Sequence, residues 1–484
     1  MELLLRQHVI LLLFLLTLGS GAVIKQSKEQ KEAWGYVTVR SNAHMFWWLY
    51  YANNSAKNFT ELPLIMWLQG GPGASGCGFG NFEEIGPLDA ELKPRNTTWL
   101  QAASLLFVDN PIGTGFSYTN DSDAFAKDLS TVSSDMLVLL KEFFRSMKEF
   151  QTIPFYIFSE SYGGKMAAGI ALELYKAIHD GSIECNFGGA ALGDSWISPV
   201  DSVLSWGPYL YSTSLLDDQG LVEVTAAAKK VMNAVNKGQY TLATLLWCHT
   251  EDVIEQNTDN VNFYNILAKK SPDLKASKHE NTHLLKLYQR HVERLHKDSL
   301  SDLMNGPIRK KLTIIPDSVT WGGQSKEVFL HMAEDFMKPV TDIVDALLAA
   351  NVNVTVYNGQ LDLIVDTMGT IRSRGHGVEN GQDGDTAETL VKWMPAGMVF
   401  TYNSSALAEL VPQTELQKEQ SLCGKLASFT LWCSCKEIKR TERSMGVCNS
   451  QKQCTHVLVA LLCKQLCQKF HGITAHYVAS GKIL

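Results

Sequence analysis

A serine in a tight turn between a strand and a helix is the residue of this sequence best placed for covalent chemistry. Ser161 lies in the segment 159–164 (SESYGG), between the apolar run 155–158 and a stretch with helical spacing from about 164 to 178. This order predicts a nucleophile elbow, in which a sharp turn lifts a serine hydroxyl above a sheet. The alternative is a serine that caps a helix, but the strand–turn–helix order favours a nucleophile for acyl transfer.

Acyl transfer also needs backbone N–H groups that stabilise an oxyanion. One donor is expected from Tyr162, the residue after the serine. The second is expected from residues 69–73 (QGGPG), because glycines let a backbone approach a substrate without a side-chain clash. On its own, the segment 69–73 is also compatible with a plain turn.

An acidic residue should follow the serine and orient a histidine. Asp362 follows the apolar run 352–357, at the carboxyl end of a predicted strand where such sheets place their sites. Asp366 is nearby and is interpreted as a surface residue. Strands alternating with helices along the chain predict a mostly parallel sheet covered on both faces.

Four segments stand in order and carry a family resemblance. They are 67–73 (WLQGGPG), 108–118 (VDNPIGTGFSY), 160–164 (ESYGG) and 357–362 (YNGQLD). Together they resemble the serine carboxypeptidase family, a branch of the α/β-hydrolase fold, over about residues 25–369. The resemblance implies a mostly parallel central sheet flanked by helices, with an inserted helical cap.

The resemblance also implies a role for each matching residue. Ser161 matches the nucleophile, Asp362 the triad acid, and Gly71 and Tyr162 the oxyanion donors. Glu160, Gln69 and Glu84 match the groups that bind the carboxylate of the substrate; most of the family has asparagine in place of Gln69. A glutamic acid donates a hydrogen bond to a carboxylate only while protonated, so substrate binding should favour acid pH.

The expected histidine of the triad is missing from its place. In the family it follows the acid by roughly sixty residues in a Gly-His-Met type motif, a spacing that the resemblance supplies. Four histidines follow Asp362, and none has that setting; they are His376, His456, His471 and His476. The triad histidine therefore stays unassigned.

Three functions are compatible with these residues. The first is a serine carboxypeptidase that releases C-terminal residues of peptides at acid pH through an acyl-enzyme on Ser161. The second is a catalytically impaired variant of the same fold, such as a binding protein, because the histidine is missing. The third is an acyltransferase or esterase on the same scaffold, since a fold does not fix a function.

The chain divides into five predicted parts. Residues 1–21 are a signal peptide, with an apolar run followed by small residues suited to cleavage. Residues 22–205 and 311–369 form the two parts of the hydrolase core, and the charged, helical stretch 206–310 forms the cap. Residues 370–484 are a divergent tail that holds most of the cysteines and gives no placement in the sheet.

Composition and N-glycosylation motifs (sequons) limit the expected environment and partners of the protein. The chain has 484 residues with a net charge of −7, which disfavours nucleic acid as a partner. Peptides are the substrates that the family resemblance implies. No membrane span, metal or cofactor is expected, and the oligomeric state stays open, a homodimer included. The signal peptide indicates a secreted or lysosomal glycoprotein, with six acceptor sites: Asn53, Asn58, Asn96, Asn120, Asn353 and Asn403.

Overall fold

The computed structural model describes residues 23–27, 31–268, 283–296 and 298–373, and the backbone of two strands, 389–394 and 397–402. The signal peptide, the sequon at Asn403 and the four late histidines lie outside the described residues. The division of the chain into five parts remains a prediction.

The described strands form one mixed sheet with parallel central strands. In chain order they are β1 (Val23–Ser27), β2 (Glu32–Arg40), β3 (Ala43–Tyr50), β4 (Leu64–Leu68), β5 (Ser104–Val108), β6 (Tyr118–Thr119), β7 (Pro154–Glu160), β8 (Asn186–Gly193), β9 (Val354–Asn358), β10 (Thr389–Met394) and β11 (Gly397–Tyr402). Their order across the sheet is β1-β2-β3-β5-β4-β7-β8-β9-β11-β10, with β6 beside β3. Strands β5, β4, β7, β8 and β9 are mutually parallel, which confirms the predicted fold class.

The central strands are buried because helices and loops cover both faces of the sheet. All five residues of β4 are buried. Alternate side chains point to opposite faces: Met66 joins one hydrophobic cluster, whereas Ile65 and Trp67 join the other. A continuous apolar run, and not an alternating one, is typical of such a doubly covered strand.

The helices lie between and after these strands. They are α1 (Leu129–Ser146), α2 (Tyr162–His179), α3 (Pro199–Ser212), α4 (Asp218–Asn236), α5 (Tyr240–Asn257), α6 (His283–His291), α7 (Asp298–Leu303), α8 (Arg309–Leu312), α9 (Ser325–His331), α10 (Thr341–Ala349) and α11 (Thr367–Arg372). Between β8 and β9 the described chain contains no strand. None of the described helices is long and apolar enough to cross a membrane.

Two elements differ from the sequence patterns. The pattern of residues 336–350 predicts a helix, but α10 begins at Thr341, because Pro339 disfavours helical backbone in the residue before it. The tail also contributes to the sheet: β11 pairs antiparallel with β9, with Val399 opposite Tyr357. The tail strands were not placed from the sequence because the polar, glycine-rich stretch 372–385 before them interrupts the alternation of strands and helices.

A buried ion pair ties the starts of α1 and α2 to the segment before α10. The Lys165 ammonium lies 2.7 Å from Asp335 Oδ2, and both side chains are less than 5% exposed. Asp335 also accepts hydrogen bonds from the Tyr162 hydroxyl at 2.7 Å and from the Leu129 N–H at 3.2 Å. Burial lowers the pKa of Lys165 to about 8, against the opposing effect of Asp335.

Removing one member of this pair should destabilise the fold strongly. We expect Asp335→Ala to lower the free energy of unfolding by about 3–5 kcal/mol, because the Lys165 charge stays buried without a counter-charge. The double variant Lys165→Met/Asp335→Leu should lose clearly less than the sum of the single losses. Urea denaturation measures both.

The neighbouring Glu334→Ala is the matched control. Glu334 is exposed and pairs with Lys338 at 3.4 Å, so its loss should change stability by less than about 0.5 kcal/mol. If Asp335→Ala were as mild as this control, the ion pair would not hold the two helices.

Candidate active site

Ser161 lies in a strained turn between β7 and α2. Its backbone has φ 58° and ψ −127°, a conformation that is costly for a residue with a side chain. The loop after β8 holds it on both sides: the Ser161 N–H donates to Gly193 O at 3.1 Å, and the Trp196 N–H donates to Ser161 O at 3.0 Å. The structure therefore places the sequence-predicted nucleophile in the expected elbow.

Glycines surround the elbow because the backbone strands approach it too closely for side chains. A Cβ on Gly163 would lie 2.4 Å from Leu68 O, and one on Gly164 would lie 1.9 Å from Ser195 Oγ. The usual first glycine of the motif is Ser159 here. It is fully buried, and its hydroxyl donates to Ala191 O at 3.2 Å, so the small side chain fits.

The two predicted oxyanion donors belong to segments that adjoin Ser161. Tyr162 is the first residue of α2, where backbone N–H groups have no partner inside the helix and carry partial positive charge. A Cβ on Gly70 would lie 3.1 Å from Ser161 Oγ, which brings the glycine loop against the hydroxyl. Gly71 follows with φ +112°, a conformation that favours glycine.

Asp362 lies in the loop between β9 and α11. Its carboxylate accepts hydrogen bonds from the N–H groups of Ile364 at 3.0 Å and Val365 at 3.3 Å. Phe263 O in turn accepts from the N–H groups of Leu363 and Ile364, so this loop is anchored to the helical insertion. Burial, and then the nearby Asp194, raise the pKa of Asp362 well above its usual range.

Asp194 is a site residue that the sequence analysis missed. It follows β8, and its Oδ1 accepts the Gly359 N–H at 2.7 Å, at the start of the Asp362 loop. The available signal was an acid directly after the small, apolar run 187–193, because the carboxyl ends of parallel strands meet at one edge. Asp366, expected at the surface, is instead fully buried and accepts a hydrogen bond from Ser205 Oγ at 2.7 Å, which corrects that expectation.

Gln69 connects the two glutamates that were predicted to bind a carboxylate. Its Nε2 donates to Glu84 Oε1 and to Glu160 Oε2, each at 3.4 Å. Its Oε1 accepts from Trp67 Nε1 at 2.7 Å, which fixes the orientation of the amide. The three predicted residues therefore form one cluster beside Ser161, since Glu160 immediately precedes it.

Within the described residues, no histidine forms a hydrogen bond with Ser161 Oγ. His291 lies next to Val292, whose Cγ2 would be 3.2 Å from a Cβ on Gly71. Both of its ring nitrogens are engaged, with Glu251 Oε1 at 2.8 Å and with the Tyr264 hydroxyl at 2.7 Å. A triad base is therefore not assigned to the histidines of the described region.

One group among the described residues could present ligand atoms to a metal ion. Cys248, Asp252 and His283 each offer an atom within 4.8 Å of the others. Asp252 is already paired with Lys286 at 2.8 Å and with Arg290 at 2.9 Å. A divalent cation would compete with both of these cations, so the arrangement favours an ion-pair network.

Gly70→Ala should disable the serine by direct collision. The new Cβ would lie 2.7 Å from Ser161 Cβ and 3.0 Å from Glu160 O, so the hydroxyl must move. We expect the rate of covalent labelling of Ser161 by a fluorophosphonate to fall at least about 100-fold, since an ångström of displacement has that effect.

Gly306→Ala is the matched control, because no atom lies within 4 Å of a Cβ at that position. It should leave the labelling rate unchanged. Equal labelling of the two variants would show that the glycine loop does not contact the serine.

Comparison with known proteins agrees with this geometry. Residues 23–410 match the profile of Peptidase_S10, described as serine carboxypeptidase. The chain is 69% identical over 378 residues to the retinoid-inducible serine carboxypeptidase of Homo sapiens, covering 76% of this chain and 84% of that protein. It is 45% identical over 368 residues to serine carboxypeptidase-like 51 of Arabidopsis thaliana, covering 72% and 79%.

A solved structure shows the same fold. It is Kex1(delta)p, a prohormone-processing carboxypeptidase from Saccharomyces cerevisiae, with a TM-score of 0.62 and 22% identity. The alignment covers 74% of this chain and 80% of the other. The sequence matches and the shared α/β-hydrolase architecture lead to one conclusion: the chain belongs to the serine carboxypeptidase family.

Proposed function

We propose that this protein releases C-terminal residues from peptides at acid pH through an acyl-enzyme on Ser161. One observation carries the proposal, namely the cluster of Gln69, Glu84 and Glu160 beside the nucleophile. An amide and two carboxyl groups within hydrogen-bond distance can bind a carboxylate when a glutamic acid is protonated. The C-terminal carboxylate of a peptide would then place the last peptide bond at Ser161.

The chemistry follows the order of the serine hydrolases. The Ser161 hydroxyl attacks the carbonyl carbon of the last peptide bond and loses its proton to a base. The N–H groups of Gly71 and Tyr162 stabilise the oxyanion that forms. The terminal amino acid leaves with a proton, and water then cleaves the ester to restore the serine.

The base of this reaction is the open part of the proposal. His376, His456, His471 and His476 are the candidates after Asp362, in the chain order typical of this fold. Without a base, oxyanion stabilisation and binding alone would leave a small residual rate. The impaired variant is therefore the competing function, favoured by the absence of a bonded histidine among the described residues.

The proposal includes a location in the secretory pathway. The predicted signal peptide and sequons support a secreted or lysosomal glycoprotein, and a lysosome supplies the acid pH. Four sequon asparagines are exposed, as glycan attachment requires: Asn53, Asn58, Asn96 and Asn120. Asn353 is half-buried and its amide donates to Gly188 O at 3.1 Å, so it is a poorer acceptor.

Labelling of the serine tests whether this chain is active. Purified protein is treated with a fluorophosphonate probe at about pH 5, where a glutamic acid is partly protonated. We expect labelling that disappears in Ser161→Ala, because only an activated serine reacts at a useful rate. Histidine substitutions at the four candidate positions would then identify the base.

The contrary result is also informative. A folded native protein that does not label, with a melting temperature equal to that of Ser161→Ala, would assign the impaired function to this chain. The carboxypeptidase proposal would then be wrong.

Loss of the carboxylate-binding group should separate a carboxypeptidase from an esterase. We expect Glu160→Ala to lower kcat/KM for peptides with a free C-terminus by about 10- to 100-fold, the equivalent of one charge-assisted hydrogen bond. Hydrolysis of a small neutral ester should change less than about threefold, because no carboxylate is bound. The exposed Glu91→Ala serves as the control; equal losses on both substrates would favour the esterase.

A further inference from the structure

The loop after β8 contacts both the nucleophile and the acid of the site. It holds the Ser161 backbone through Gly193 and Trp196. In the same loop, the Asp194 N–H donates to Tyr357 O at 2.8 Å. Asp194 Oδ1 accepts from the Gly359 N–H at 2.7 Å. Asp194 therefore lies at the junction between the elbow and the Asp362 loop.

Asp194 is held in an unfavourable backbone conformation at this junction. Its φ is +40°, in the left-handed region that few residues other than glycine adopt. Such a conformation persists only where the surrounding contacts determine it. Here the hydrogen bond from the Asp194 N–H to Tyr357 O and the side-chain bond to the Gly359 N–H do so, and aspartate is one of the few residues besides glycine that adopt this region readily.

The Asp194 side chain forms a hydrogen bond with that of Asp362. Gly359 lies between them, since its Cβ would be 3.2 Å from Asp194 Oδ1 and 4.0 Å from Asp362 Cβ. Two ionised carboxylates only accept hydrogen bonds, so this contact needs a proton on one of them. The pair then carries one negative charge.

The shared proton would complete the hydrogen bonding of Asp362. Its two oxygens already accept the N–H groups of Ile364 and Val365. The bond to Asp194 adds a contact from the loop after β8 and restrains the Asp362 carboxylate from a second direction. A triad acid acts by orienting an imidazole, so its own orientation decides the geometry of the base.

We propose that Asp194 is a positioning residue that holds Asp362 in place by sharing a proton with it. The inference rests on the proposed function, because it concerns the acid of that site. Asp194 acts through Asp362 and contacts no reacting atom.

The groups named around the Asp194–Asp362 pair are mostly negative or neutral. Glu160 from β7 and Asp366 from the following loop add negative charge near Asp194 and Asp362 respectively. The hydroxyls of three tyrosines also face this region, and burial keeps them neutral by raising their pKa: Tyr209, Tyr264 and Tyr357. A cation of this region is Arg294, whose guanidinium lies 3.6 Å over the Tyr264 ring.

The pH dependence of stability follows from the shared proton. Burial raises the pKa of both carboxyl groups above the unfolded value near 4. Glu160 raises that of Asp194 further, to about 7 in all although the contact with Asp362 lowers it, and Asp194 raises that of Asp362. The folded chain keeps the proton where the unfolded chain has lost it. The contribution of the pair is therefore present below about pH 4 and is lost as the pH rises toward neutrality.

Asp194→Asn tests this directly, since its amide donates to Asp362 at every pH and still accepts from Gly359. Urea denaturation is measured from pH 5 to 7.5 on the native chain and the variant. We expect the ratio of their folding constants to move in favour of the variant by up to about tenfold per pH unit. A parallel pH dependence of the two proteins would overturn the proposal, because a merely structural side chain shifts stability equally at each pH.

Two further variants keep the test decisive. Asp362→Asn removes the other half of the pair and should abolish the same pH dependence, even if Asp194→Asn fails to fold. Asp180→Asn is the control, since the Asp180 pKa is lowered by the Ser182 hydrogen bonds and does not titrate above pH 5. The ratio of the folding constants of Asp180→Asn and the native chain should stay constant over this pH range.

The pH profile of Ser161 labelling supplies a second readout. In the native chain labelling should decline between pH 6 and 8 as the pair loses its proton and Asp362 is repelled, and Asp194→Asn should decline less. Identical profiles in a chain that labels would contradict the positioning role. If the native chain does not label, only the proposed function is contradicted. The denaturation series then still tests the Asp194–Asp362 pair.

Discussion

The strained turn at Ser161 is the constraint on which the rest of the site depends. A positive φ at a serine is unfavourable, so this conformation persists only where surrounding contacts hold the residue in it. The loop after β8 provides them through backbone hydrogen bonds on both sides of the residue. The glycines at 70, 163 and 164 are then required, because the side chains of Ser161 and Ser195 and the backbone of Leu68 leave no room for a Cβ at these positions.

The same packing gathers acidic groups at one edge of the sheet and determines how they respond to pH. Burial raises the pKa of Asp109 to about 6 and that of Asp366 to about 7, in addition to the pair described above. Each raised pKa stabilises the folded state at low pH, and this stability is lost as the pH rises from about 4 through the folded value. His44, His291 and His296 have lowered pKa values and act in the opposite direction below about pH 6.5. At acid pH the buried carboxyl groups therefore stabilise the folded state, whereas the three histidines destabilise it.

The sequence predicted the parts of the site that depend on local order along the chain. The elbow around Ser161, the glycine loop and the acid at 362 each follow a buried strand, and parallel strands bring their carboxyl ends together. Asp194 also follows a buried strand, but it was missed because its hydrogen bond with the Gly359 N–H joins two loops that are remote in sequence. Asp366 was misjudged for the same reason, since its partner Ser205 is remote in sequence.

The substitution of glutamine for the common asparagine at position 69 shows how such a contact can preserve a site. An extra methylene extends the amide and would by itself leave its direction undefined. Trp67, two residues earlier on the same face of β4, donates its indole N–H to the amide oxygen. The nitrogen must then point away from the tryptophan, toward Glu84 and Glu160. The Gln69 amide nitrogen thus reaches both carboxyl groups, because the buried indole two residues earlier determines which end of the amide faces them.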